Sequence, residues 1–191
     1  MIKQARIDFN AIADGEYDSM MGDSTGAAVI FGATGGVMEA ALRTVADILT
    51  GEDLKKIDYT PVRGLEGIKE ATVNVSGVDI KVAVANGAGN AAKLLDRVKS
   101  GEANYHFIEI MACPGGCING GGQPIIMDKE KTEEVLKLRA KGLYDIDKER
   151  KYRKSHENPE VKKLYEEYLE KPNSHKAHHL LHTNYVERDR V

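Results

Sequence analysis

An excess of either charge is missing from this sequence: 27 lysines and arginines stand against 30 aspartates and glutamates in 191 residues, a formal net charge of −3. Without a basic surplus there is nothing to displace counterions from a phosphate backbone, so nucleic acid is excluded as an expected partner. Long hydrophobic runs are missing too. No stretch approaches the roughly 20 apolar residues of a membrane helix. At the start, MIKQARIDFN, the charged residues Lys3, Arg6 and Asp8 interrupt the apolar core that a signal peptide would need. No membrane partner is expected, and the setting expected is cytoplasmic. With 41 % hydrophobic residues, the chain is long enough for one well-cored domain.

Cysteine is nearly absent. The only two, Cys113 and Cys117, lie four residues apart, which excludes a disulfide-stapled scaffold. In a compartment that keeps thiols reduced, a close pair is more often a metal or redox site. A helix start is also lacking at the N-terminus. Met1, Ile2, Ala5 and Phe9 fall at helical spacing, but no Ser, Thr, Asp or Asn precedes them to cap a helix. The chain is expected to begin inside a helix.

What is present is a pattern of short apolar segments and turns. Ala27 to Phe31 is a continuous apolar run that reads as a buried strand, followed by a turn over Gly32 to Gly36. Val37, Ala41, Val45, Ile48 and Leu49 then form a helical stripe, with Glu39, Arg43 and Asp47 expected on the solvent face as an ion-pair ladder. Val73 and Val75, then Val78, Ile80, Val82 and Val84, alternate on either side of Ser76-Gly77 and predict a hairpin. A helix capped by Asn90 and ended by Gly101 follows, then a strand from Tyr105 to Met111. Beyond Pro124 the sequence turns to charged helix. Asn158-Pro159 opens one segment, with Val161, Leu164, Tyr165, Tyr168 and Leu169 on one face, and NSHKAHHLLHTNY starts another.

The segment ACPGGCINGGGQP carries the chemistry. Gly115, Gly116, Gly120, Gly121 and Gly122 can take positive φ and admit a bulky inorganic group close to the backbone. Successive N–H groups in such turns make a concavity receptive to sulfide and thiolate. Three readings stay open on these residues. One is an iron-sulfur cluster, although a cubane normally takes four cysteines and two are present. A zinc site could instead join Cys113 and Cys117 to His178 and His182, one helical turn apart. The third is a reduced, unliganded pair. GATGG invites a phosphate reading, but neither the dinucleotide spacing nor a following Gly-Lys-Ser/Thr is there, so a tight strand-to-helix turn is expected. His175, His178, His179 and His182 are otherwise a polar helix face, and His106 is expected to be a satisfied sheet residue.

MACPGGCINGGGQP, Met111 to Pro124, resembles the third signature motif of the iron-only (FeFe) hydrogenases. TGAAVIFGATGGVMEAALRT, Thr25 to Thr44, resembles the element before it in the same catalytic domain. The segment from Asn158 to Tyr185 resembles the family's C-terminal part, which some periplasmic members carry as a separate small subunit. The resemblance implies an α/β fold: one lobe of a two-lobed domain, a mixed sheet of about four strands flanked by helices over residues 1–127, then a small-subunit-like helical tail over 128–191. It implies a 4Fe-4S cluster joined to a two-iron subcluster, with Cys113 a ligand of the cubane and Cys117 the bridge between the two. Met111, Phe31 and Val37 would line the same pocket. The implied activity is reversible oxidation of dihydrogen to protons and electrons, with a ferredoxin-type electron carrier. Two cubane ligands, the proton-relay cysteine and a cyanide-holding lysine belong to motifs this sequence lacks. It is therefore expected to be the C-terminal lobe of such an enzyme, inactive without an N-terminal lobe from the same gene or a separate subunit. The alternative is a non-catalytic zinc or iron-sulfur binding or assembly module using Cys113 and Cys117.

Overall fold

A computed structural model of the chain describes residues 1–18, 23–53, 58–75, 77 and 78–187. Its elements run α1 (Gly26–Ile30), α2 (Gly36–Thr50), β1 (Ile68–Val75), β2 (Val78–Asn86), α3 (Ala88–Lys99), β3 (Phe107–Met111), α4 (Thr132–Glu149), α5 (Pro159–Leu164) and α6 (His175–Leu181). The strands form a sheet in the order β1-β2-β3. β1 and β2 are the expected hairpin, with Val75 opposite Val78; Ser76 lies outside the described residues. β2 and β3 run parallel, with Val82 beside Phe107 and Asn86 beside Met111. The parallel pair forces a crossover, and α3 supplies it.

β2 is buried on both faces, and its period of two sorts its side chains. Val82 and Val84 join Met38, Leu42, Ala46, Val62, Val73 and Val75 in the core beneath α2. Ala83 and Ala85 pack with Ala91 and Leu94 of α3 on the other side. The sheet is thus one layer between two helices, as an α/β unit requires. A third cluster joins Ile30 and Ala33 to Tyr144 of α4.

Among the described residues the sheet has three strands, because the run Ala27–Phe31 is helical. Thr25 Oγ1 accepts from Ala28 N at 3.2 Å, a helix cap, and Gly26 N donates to Tyr152 O at 2.7 Å. A short apolar run fits a buried helix as well as a buried strand, and here the cap decides. α3 starts one turn earlier than expected: Gly87 is its cap, and Asn90 lies inside it with Nδ2 on Asn86 O at 2.8 Å. Met1 to Ile7 form turns, and a short 3-10 turn covers Phe9–Ala11. Every residue of that segment is exposed. An apolar periodicity with nothing to pack against does not hold a helix.

Helix α2 turns Met38, Leu42 and Ala46 inward together with two charged residues, rather than the expected stripe of Val37, Ala41, Val45, Ile48 and Leu49. Glu39 and Arg43 are fully buried, whereas Ile48 is 72 % exposed and Leu49 51 %. The buried charges are tolerated because they close on one another. Arg43 places Nη1 2.8 Å from Asp147 Oδ1 and Nη2 2.9 Å from Glu39 Oε1. Glu39 also receives Arg63, at 2.7 Å and 2.6 Å. Asp147 also receives Arg153 at 2.6 Å. Burial pushes the Asp147 carboxyl up, but hydrogen bonds from Arg43 and Arg153 outweigh it and hold the group below the ordinary range. Lys154, 2 % exposed, adds a second tie to α2 through Asp47 at 2.6 Å. The segment after α4 is fixed to α2 by charge.

Removing one partner from such a network leaves an uncompensated buried charge, which costs about 3–5 kcal/mol. Arg43→Met should lower unfolding free energy by that amount in urea titration at pH 7. Lys163→Ala, at the exposed pair with Glu167, should change it by less than about 0.5 kcal/mol.

Candidate metal centre

The cysteine loop leaves the carboxyl end of β3, beside the end of β2. Gly87 N donates to Met111 O at 2.8 Å. Asn86, 2 % exposed, then steers the turn: its Oδ1 accepts from Gly115 N at 3.1 Å while its Nδ2 donates to Glu66 O at 2.7 Å. Gly115 and Gly116 have φ of 82° and 93°, a region that side chains disfavour. A 3-10 turn over Cys117–Asn119 follows, and Arg139 of α4 holds it by donating to Ile118 O at 2.8 Å and Pro124 O at 2.7 Å.

The loop seats directly on the turn before α2. Thr34 N donates to Gly115 O at 3.0 Å, and Ile118 N donates to Gly32 O at 3.0 Å. Between these bonds a Cβ on Gly116 would lie 2.8 Å from both Gly32 O and Thr34 N. Only a glycine permits that approach. At Gly35, φ 90°, a Cβ would meet Val62 O at 1.9 Å.

β3 binds the same turn from below. Glu109, 6 % exposed, accepts from Gly35 N at 2.6 Å and from Met38 N at 2.7 Å, one carboxylate oxygen each. The N-terminus of α2, which could have held a phosphate, is already occupied by this carboxylate. Lys69 of β1, also buried, donates to Thr34 O at 3.1 Å and to Gly64 O at 2.9 Å. Burial pushes the Lys69 ammonium down to about 8, while Glu109 and Glu66 pull the other way.

Of the predicted site residues, Cys113 and Cys117 are both exposed and unbridged. Met111 and Val37 are half-buried, and Phe31 is 44 % exposed. The backbone around all five converges on this one docked pair of turns. The four-ligand zinc set is not gathered. Among the described residues the only three or more potential ligands with atoms within 4.8 Å of one another are Asp47, Asp53 and Glu157. A cleft of about 790 Å³ is lined in part by Gly115, Ile118 and Tyr144, and the two cysteines are not on its wall. The donor set fits an iron-sulfur group held from one side. Two accessible thiols sit on a loop whose buried glycines let it lie against a charge-braced turn.

The sequence reading missed Asn86, Lys69 and Glu109. Lys69 was visible in principle, since it shares the inward phase of Val73 and Val75 on β1. Glu109 interrupts an apolar strand in the same way. His106 is satisfied as expected, accepting at Nδ1 from Lys81 N at 3.0 Å.

Comparison with known proteins gives two family matches. Residues 1–121 match the iron-only hydrogenase large subunit, C-terminal domain, and residues 133–188 match the iron hydrogenase small subunit. The NADP-reducing hydrogenase subunit HndD of Solidesulfovibrio fructosivorans is 50 % identical over all of this chain and 32 % of its own length. Cytosolic iron-sulfur assembly component 3 of Rattus norvegicus is 36 % identical over 81 % of this chain and 31 % of its own length. A solved variant of the [FeFe]-hydrogenase HydA1 from Chlamydomonas reinhardtii is 42 % identical with a TM-score of 0.66, covering 97 % of this chain and 52 % of that one. The chain spans about a third of the length of these curated relatives.

Two outcomes test this geometry. Gly116→Ala should destabilise the chain by about 1–3 kcal/mol in thermal or urea unfolding, whereas Gly121→Ala, with open space around it, should stay within about 0.5 kcal/mol. The folded state binds the Lys69 proton less tightly than the unfolded state, so protonation opposes folding. Its penalty is full below about 8 and is relieved as pH rises toward the ordinary lysine value of 10.5. The melting temperature of the chain should therefore gain on that of Lys69→Met between pH 8 and 10.

Proposed function

This chain belongs to the iron-only hydrogenase family, and from that premise we propose that it supplies one side of a shared iron-sulfur site for reversible dihydrogen oxidation. The observation that carries the reading is the pair of exposed, unbridged thiols on a glycine loop docked against a buried turn. Cys113 would hold the cubane, and Cys117 would bridge it to the two-iron subcluster. Met111, Phe31 and Val37 would line the pocket, where apolar side chains exclude water and a thioether offers no competing proton. The group, when bound, supplies the two-electron chemistry of dihydrogen, and the protein supplies ligation and orientation.

Two thiols satisfy half of a cubane, so the remaining ligands and the proton route come from a second lobe in this reading. Dihydrogen and protons are the proposed substrates and a ferredoxin-type protein the proposed electron carrier, with a cytoplasmic setting. The proposed division of the chain is a lobe over 1–127 and a tail over 128–191. Exposed large apolar side chains, among them Phe31, Ile48, Leu49 and Ile110, support association with a further polypeptide. Apolar side chains of this size left in water favour association.

A second reading has its own support in the similarity to the iron-sulfur assembly component. There the same two cysteines would hold a simple cluster without turning over hydrogen. Methyl viologen-driven hydrogen evolution separates the readings. The chain alone, after anaerobic loading with synthetic cofactor, should evolve no hydrogen. Combined with a polypeptide carrying the complementary cysteine motifs, it should evolve hydrogen and lose that activity in Cys117→Ser. A complex that holds iron and sulfide without turnover would favour the assembly reading, and turnover by the chain alone would refute the shared site.

A further inference from the structure

Two groups of potential metal ligands lie away from the cysteine loop. Asp47, Asp53 and Glu157 are gathered, but Lys154 Nζ already lies 2.6 Å from Asp47 and 2.5 Å from Asp53. The protein fills that site with its own cation.

The second group is on α6. Its N-terminus is firmly placed: Ser174 Oγ accepts from Ala177 N at 3.0 Å and donates to Leu169 O at 2.7 Å, and Ala177 is 2 % exposed. The helix then leads outward. His178 lies in the last turn of α6 and His182 caps its end, one turn further along the chain. Both are exposed, and their ring centroids lie 4.3 Å apart, edge to face. The backbone closes the same turn, with His182 N donating to His178 O at 3.1 Å. The nearest helical cation, Lys176, is drawn aside with its Nζ 3.7 Å from the centre of the Tyr168 ring.

We propose that His178 and His182 form a two-imidazole site for a divalent transition metal ion of borderline softness, such as Ni²⁺ or Zn²⁺. Imidazole nitrogen suits these ions. Two imidazoles brought together across one turn can chelate a single ion, as paired histidines at i and i+4 do. Water completes the coordination, because both side chains face solvent, so the ion is exchangeable. The site is separate from the thiols and independent of the reading of the cysteine loop. Bound metal joins two side chains already linked by a backbone hydrogen bond, so it clamps the last turn of α6.

The test is calorimetric titration of the whole chain carrying Cys113→Ser and Cys117→Ser, which removes the thiols as competitors, with Ni²⁺ as the probe. One equivalent should bind in the micromolar range and raise the melting temperature. His178→Ala and His182→Ala, both at exposed positions that should not affect folding, should each weaken binding by about tenfold or more. His175→Ala and His179→Ala should leave it unchanged. The assignment is overturned if Ni²⁺ gives no binding up to millimolar concentration. It is equally overturned if affinity survives His178→Ala and His182→Ala, or if His175→Ala or His179→Ala weakens it as much.

Discussion

The structure turns on one close approach: the backbone of Gly116 against the backbone of Gly32 and Thr34, with hydrogen bonds of 3.0 Å on either side. No side chain fits between them. This contact sets where the cysteines stand relative to α2, and the surrounding elements serve to keep it closed. Glu109 ties the turn to β3 through both carboxylate oxygens. Lys69 ties it to β1, and Asn86 ties the loop to β2. Neutral backbone bonds contribute only about 0.5–1.5 kcal/mol each, so the charge-assisted bonds from buried Glu109 and Lys69 give the arrangement its stiffness.

The same logic extends outward to the C-terminal segment. Arg43, Arg63 and Arg153 balance Glu39, Asp58 and Asp147 in number and sign. A well-packed apolar cluster of equal volume would be about as stable. What the ion network adds is specificity, because its charges are satisfied only when Asp147 and Arg153 arrive in register over α2. α2 in turn carries the turn on which the cysteine loop rests. A continuous run of contacts thus links Asp147 and Arg153 through α2 and Glu109 to β3, the strand that leads into the cysteine loop.

Much of this was legible in the sequence, and the failures share a cause. The hairpin, the strand into the cysteines, the Asn158 cap and the α6 start follow from local rules that tertiary contacts left undisturbed. Ala27–Phe31 was misread because a five-residue apolar run has no periodicity to distinguish strand from helix. The buried face of α2 differs from the expected stripe because the usual rule puts charge in water, and Glu39 and Arg43 are buried with partners 20 to 110 residues away. Glu109 and Lys69 are likewise buried by tertiary contacts, here with backbone groups of the turn before α2, and only their inward strand phase marks them in the sequence. The cysteines stand out by motif alone, and the structure places both on an exposed loop.

The central claim is that Cys113 and Cys117 are one side of a cluster site completed by another lobe. Native mass spectrometry after anaerobic reconstitution with iron and sulfide tests it most directly. The account predicts no stable cluster on the chain alone, and a 4Fe-4S mass increment on its complex with a polypeptide supplying the complementary cysteines. Cys113→Ser should abolish that increment. A stable full cluster on the isolated chain, or one tightly held zinc that is lost in Cys113→Ser and Cys117→Ser, would contradict the account.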